Sequence, residues 1–172
     1  PDGTWFSQRD HVLLLLLYNT GARVSEITGV KVGEVVLDDG AACVHLHGKG
    51  RKQRSVPLWR STVRAIRAWL RRNPKFDSDS PLLPNRKGQA MSRWNVMERL
   101  DRAVLVAAES CPDLATRQIS PHVIRHTTAM HLLQAGVDIS VIALWLGHES
   151  PATTHQYVEA DLAMKERALA RL

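Results

Sequence analysis

A chain of 172 residues, 44% of them hydrophobic, is long enough for one domain with a real core. Its 23 Lys and Arg against 17 Asp and Glu give a net charge of +6 and a pI near 9.8, which favours a polyanionic partner, nucleic acid first. Two cysteines, Cys43 and Cys111, make no disulfide framework, and the longest apolar run, residues 12–17, is far too short to span a bilayer. No signal peptide is visible, and the chain starts at Pro1 rather than Met, so the expectation is one domain, residues 1–172, cut from a longer protein.

Ser7 and Asp10 read as a capping-box variant before an apolar helix over residues 12–18, apolar nearly all round and therefore deeply buried. Gly21 ends it, and Arg23 and Glu26 follow at i, i+3 on a short helix. After Gly33 the pattern turns to short β-type runs at 35–37, 43–46 and 54–57, with a turn signal at Asp38-Asp39-Gly40. These predict a three-stranded antiparallel sheet, its second and third strands joined by a basic stretch from His47 to Arg54. Ser61 is a cap for a helix reaching residue 72, with Arg60, Arg64, Arg67 and Arg71 on a solvated side and Val63, Ile66, Trp69 and Leu70 opposite. Residues 73–90 read as a loop with one extended piece at 81–83. Ser92 caps another helix to about residue 108, and a second loop runs to residue 119.

The stretch from Ser120 to Tyr157 carries the chemistry. Ser120 is a good N-cap and Pro121 suits the first helical position, so His122 and Arg125 share a helix face. Gly136 is the stop signal. Asp138 caps a second helix with Ile139, Ile142, Ala143 and Leu146 at helical spacing, and Gly147 leaves His148 just past its end. Ser150-Pro151 starts a third short helix leading to Tyr157. Cations and imidazoles converging near a phenol point to phosphate chemistry with tyrosine as nucleophile.

Together, the run Gly21-Ala-Arg-Val-Ser-Glu26, Lys49 in a basic hairpin, His122-Val-Ile-Arg-His126, Leu146-Gly-His148 and Tyr157 nine residues later resemble the catalytic domain of tyrosine recombinases, the phage-integrase family. The resemblance covers nearly the whole chain, from about residue 8 to 166. It implies a mixed α/β, mostly helical domain with a small three-stranded antiparallel sheet. It also implies that the separate N-terminal core-binding domain, with which family members clamp DNA, is missing here.

The resemblance implies roles as well. Arg23 and Arg125 would each donate in a fork to the non-bridging oxygens of the scissile phosphate, which a lysine cannot do. Glu26 would orient that site without touching the phosphate. Tyr157 would attack phosphorus, His122 would accept its proton, and His148 would donate a hydrogen bond to the phosphate. Lys49 would protonate the leaving 5′-oxygen, with Lys52 close enough to compete for that role. Arg51, Lys52 and Arg54 would contact DNA. His126, on a different helix face from Arg125, reads as a buried structural histidine.

The partners implied are double-stranded DNA and further copies of the chain, a synaptic tetramer on DNA and a monomer as an isolated domain. The apolar face of a last helix, residues 161–172, would dock on a neighbouring protomer, as the resemblance implies, or fold back on its own domain. The setting would be cytoplasmic, nucleoid-associated in a bacterial host. No cofactor is expected, since a phosphotyrosine conserves the bond energy. A metal is not expected either: His122 and His126 stand at i, i+4, but the glutamate of a zincin helix is missing. Other readings are a type IB topoisomerase-like strand breakage and rejoining, a basic DNA-binding module without catalysis, and a metal-dependent phosphodiesterase.

Overall fold

The computed structural model describes residues 3–38, 40–48 and 53–147. Its first helix, α1 (Trp5–Thr20), starts earlier than Ser7 and Asp10 predict. Thr4 is the N-cap and accepts the Ser7 N–H at 3.2 Å. The added turn has its own burial: the Trp5 ring packs on Trp69 at a centroid distance of 5.0 Å, and its indole N–H donates to Asn73 Oδ1 at 2.7 Å. Gly21 closes α1 with φ 56, and its N–H reaches Leu17 O at 3.0 Å. Only glycine fits there, because a Cβ would stand 2.5 Å from Leu146 Cδ2.

Helix α2 (Val24–Thr28) follows, then the small sheet of β1 (Val35–Val36), β2 (Cys43–His47) and β3 (Gln53–Pro57). The strands are antiparallel in the order β1-β2-β3, with Val35 opposite Val44 and Val44 opposite Val56. Alternation sends Val44, Leu46 and Val56 into the core. Arg54 lies two residues before Val56 and therefore shares that inner face.

Helix α3 (Arg60–Arg72) is capped by Trp59 rather than Ser61. The cap is tertiary: buried Asn19 accepts the Trp59 N–H at 2.8 Å and donates to Pro57 O at 2.9 Å, tying the end of α1 to the end of β3. Val63, Ile66 and Trp69 are buried on one side of α3, and Arg60, Arg64 and Arg71 are exposed on the other. Arg67 departs from that solvated row, being half-buried and donating to the Leu37 carbonyl.

Three α-helices complete the described chain, with a 3-10 helix at Pro112–Thr116 inside the stretch read as a second loop, and local side chains cap each α-helix where the sequence places the cap. Ser92 opens α4 (Arg93–Ala108), accepting Asn95 N–H at 3.1 Å. Ser120 opens α5 (Pro121–Gln134), accepting Val123 N–H at 3.3 Å. Asp138 opens α6 (Ile139–Leu146), accepting Ser140 N–H at 2.8 Å, and Gly147 ends it with φ 67.

The main core gathers Val12, Leu13, Leu16 and Leu17 of α1 with the inner faces of the sheet, α3 and α4. A second cluster of Ala129, Leu132, Ile142 and Leu146 lies between α5 and α6. Trp145 packs against both clusters, and its indole N–H donates to Asn19 O at 3.1 Å. No described helix is long and apolar enough to cross a membrane. The segments read as a third short helix and as a last helix over residues 161–172 lie outside the described residues.

Candidate phosphate-binding site

The short helix α2 is built around its own first turn. Arg23 occupies the N-cap, and the Glu26 side chain turns back to accept the Arg23 N–H at 2.7 Å. This satisfies one of the donors a helix start leaves unpaired. Glu26 is almost wholly buried, yet it is a fully partnered carboxylate. Arg54 donates to it twice, Nη1 to Oε1 at 2.6 Å and Nη2 to Oε2 at 3.0 Å. The Arg23 guanidinium stands 3.5 Å away, its side chain half exposed.

Burial pushes the Glu26 carboxyl up. The hydrogen bonds from Arg54 and from the Arg23 N–H, with the charges of both guanidiniums, outweigh that and hold it below its ordinary value of 4.5. A carboxylate depressed in the folded state adds stability above its unfolded value, and that stability disappears as pH falls through the lower folded value. The expected result is that Glu26→Gln is less stable than wild type near pH 7. The gap should narrow as pH falls from about 5 towards 3, and urea-unfolding midpoints across that range measure it.

Arg125 reaches the same place from α5. Its Nη1 donates to Gly21 O at 2.6 Å and its Nη2 to Leu146 O at 2.8 Å, so one buried guanidinium fixes the end of α1 against the end of α6. A guanidinium carries five N–H donors in a plane, so anchoring to backbone can coexist with donation to an anion.

Arg23 and Arg125 line one open cleft of about 500 Å³ together with Ser25, Arg93, Ser120 and His122. The described part of this wall therefore carries three guanidiniums and one imidazole. Such a wall suits an oxyanion with several acceptor oxygens.

Four of the residues singled out in the sequence thus come together: Arg23, His122 and Arg125 on the cleft, and Glu26 beneath it. Arg54 is placed differently from expectation. It is turned inward on the core face of β3, its side chain 13% exposed, and its donors are engaged by Glu26 and by Trp145 O. His126 is exposed rather than buried, because α5 buries the faces bearing Arg125 and Ala129. Lys49, Arg51, Lys52, His148 and Tyr157 lie outside the described residues. Arg93 is a cleft residue that sequence reasoning missed; as the first residue after a predicted N-cap, it carries no signal of its own.

Comparison with known proteins gives one consistent result. The model of the phage integrase family matches residues 4–164. The integrase/recombinase-type protein y4rC of Sinorhizobium fredii is 46% identical over 174 residues, covering 99% of this chain and 51% of that protein. Tyrosine recombinase XerC of Neisseria gonorrhoeae is 39% identical over 153 residues, covering 89% of this chain and 48% of XerC. The chain therefore spans about half the length of the curated relatives it matches. Among solved structures, XerH bound to a palindromic difH substrate in a post-cleavage complex has the same fold. It aligns with a TM-score of 0.80 and 24% identity over 98% of this chain and 47% of XerH. The XerA recombinase crystal structure aligns with a TM-score of 0.71 at 25% identity, over 88% of this chain and 52% of XerA.

Proposed function

Because the chain belongs to the phage integrase family, we propose that it forms the catalytic part of a site-specific DNA recombinase. It would cleave and rejoin strands through a covalent 3′-phosphotyrosine. The observation that carries this reading is the convergence of Arg23, His122 and Arg125, from two distant helix starts, on one cleft. The similar proteins named as integrases and recombinases favour this over topoisomerase-like activity.

In the proposed step, Tyr157 Oη forms a bond to phosphorus as the bond to the 5′-oxygen breaks. The tyrosine proton goes to His122, and the departing 5′-oxygen takes a proton from Lys49. Arg23 and Arg125 neutralise the charge that builds on the non-bridging oxygens, and His148 adds a hydrogen bond there. An ordinary tyrosine pKa of about 10 is why a base and a cationic cleft are both needed. Rejoining runs the same transfers backwards, so neither metal nor nucleotide enters the balance. Arg51 and Lys52 would track the phosphate backbone. The assembly on DNA would be a tetramer, in the cytoplasm and at the nucleoid of a bacterial host.

The test uses the intact protein and chromosomal DNA fragments from its own source, in excess chelator. Denaturing the mixture and digesting the DNA should leave a nucleotide on Tyr157, detectable by mass spectrometry. DNA binding without any adduct would mean a binding module. Nicks that vanish on chelation would mean a metal-dependent nuclease. Strand exchange between two DNA sites, rather than relaxation of one, separates recombinase from topoisomerase.

A further inference from the structure

We propose that Arg54 is a positioning residue of this reaction, clamping the Glu26 carboxylate and the end of α6 into one rigid unit behind the phosphate cleft. The inference rests on the recombinase reading. Arg54 donates through three different nitrogens. Nη1 and Nη2 fork the two oxygens of Glu26 at 2.6 and 3.0 Å, and Nε reaches Trp145 O at 3.0 Å. Glu26 in turn holds the backbone N–H of Arg23 at 2.7 Å. One guanidinium therefore links a strand of the basic hairpin, the residue before α2 and the last turn of α6.

Two neighbours support the arrangement. The carbonyls in the last turn of α6 lack helical partners and form the negative end of the helix dipole. Arg54 takes Trp145 O, and Arg125 takes the next one, Leu146 O, at 2.8 Å. Gly147 makes the space: a Cβ there would stand 2.9 Å from Arg54 Nη1 and 3.2 Å from its Cζ. The glycine before His148 thus serves two ends, a left-handed helix stop and room for a flat cation. A lysine offers a point charge on a flexible stem and cannot span these three acceptors at once. Arg23 and Arg125 meet the cleft; Arg54 acts on it only through Glu26 and α6.

The experiment compares intact wild-type protein, Arg54→Lys and the neutral pair Arg54→Met/Glu26→Gln. Each is measured for thermal stability, for DNA affinity, and for the single-turnover rate of the Tyr157 adduct at saturating DNA. The expected result for Arg54→Lys is a maximal rate about 10²-fold lower, the size of loss that follows a small misplacement of reacting groups. DNA affinity should stay within about threefold of wild type, because the contacts to DNA are untouched. The neutral pair removes both charges of the buried Arg54–Glu26 pair and strands neither, so it should fold, yet its rate should remain low.

Recovery of the wild-type rate in the neutral pair would overturn the proposal and leave Arg54 as a counter-charge for the fold. Loss of DNA affinity with an unchanged rate at saturation would overturn it in favour of a phosphate contact. If Arg54→Lys fails to fold, the neutral pair decides alone; if neither folds, Arg54 is structural and the proposal fails. A wild-type protein that gives no adduct would bring down the recombinase reading and the positioning role together, whereas an active wild type with an unaffected Arg54→Lys removes only the latter.

Discussion

A DNA substrate with sulfur in place of the bridging 5′-oxygen is expected to restore cleavage to Lys49→Ala and to leave Tyr157→Phe inactive. The two substitutions remove different halves of the same step. Tyr157→Phe keeps the ring but deletes the oxygen that would form the new bond in the proposed step, so no leaving group should help it. Lys49→Ala would delete only the proposed proton donor, and general acid catalysis contributes roughly 10²–10⁴-fold. A thiolate leaves without a proton, so with the sulfur substrate that whole factor should return. Arg23→Ala and Arg125→Ala should stay impaired with either substrate, because in the proposed step both guanidiniums act on the non-bridging oxygens. The readout is the adduct rate on the two substrates. Rescue of Lys52→Ala in place of Lys49→Ala would move the acid along the hairpin, and adduct formation by Tyr157→Phe would remove tyrosine 157 as the nucleophile.

Gly21→Ala is expected to be the most damaging single-methyl change in the described chain. Gly21 sits at φ 56, where an L side chain is strained, and the added carbon would fall 2.5 Å from the buried Leu146 Cδ2. The left-handed conformation costs about 1–2 kcal/mol and overpacking a filled site about 1–3 kcal/mol. Together these are a large part of a stability of roughly 5–15 kcal/mol. The junction is also where Gly21 O accepts from Arg125. Gly21→Ala should therefore lower the adduct rate even at temperatures where the protein stays folded. Leu146→Ala alone opens a cavity and costs about 2–5 kcal/mol. Combined with Gly21→Ala it should cost clearly less than the sum, since each change relieves the other. Strict additivity in urea unfolding would mean that the two side chains do not compete for the same space.

Much of this architecture was legible in the residues themselves. Ser92, Ser120 with Pro121, and Asp138 each cap a helix by reaching a backbone N–H two or three residues on, a local event that a short sequence window contains. The three strands were legible as short β-type runs at 35–37, 43–46 and 54–57, with a turn signal in the sequence Asp38-Asp39-Gly40 between the first two. Where the prediction missed, the deciding partner was distant in sequence. Trp59 rather than Ser61 caps α3, because Asn19 comes from α1 to hold it. Thr4 rather than Ser7 starts α1, because Trp5 finds Trp69 and Asn73.

At the site, the family resemblance is what set Arg23 beside Arg125 and His122, which line one cleft in the structure, while Arg54 was misread as part of a run of exposed cations. Strand alternation carried the missing signal: a residue two before the buried Val56 faces inward, and a charge there must find a partner. His126 departs in the opposite sense: its place on a different helix face from Arg125 suggests a buried structural histidine, and in the structure that face is the exposed one.

The bond from Arg125 to Gly21 O joins residues 104 apart, and α1 owes the covering of that end to it. During synthesis at roughly 5–20 residues per second, the end of α1 would leave the ribosome about 5–20 s before α5 exists to pack on it. The partner α3 arrives sooner, so the two sides of α1 close at different times. The unbroken apolar stretch over residues 12–17 of α1 would in that interval be a natural client for a chaperone, and ribosome-stalled chains ending before α5 should be far more sensitive to protease than chains ending after α6.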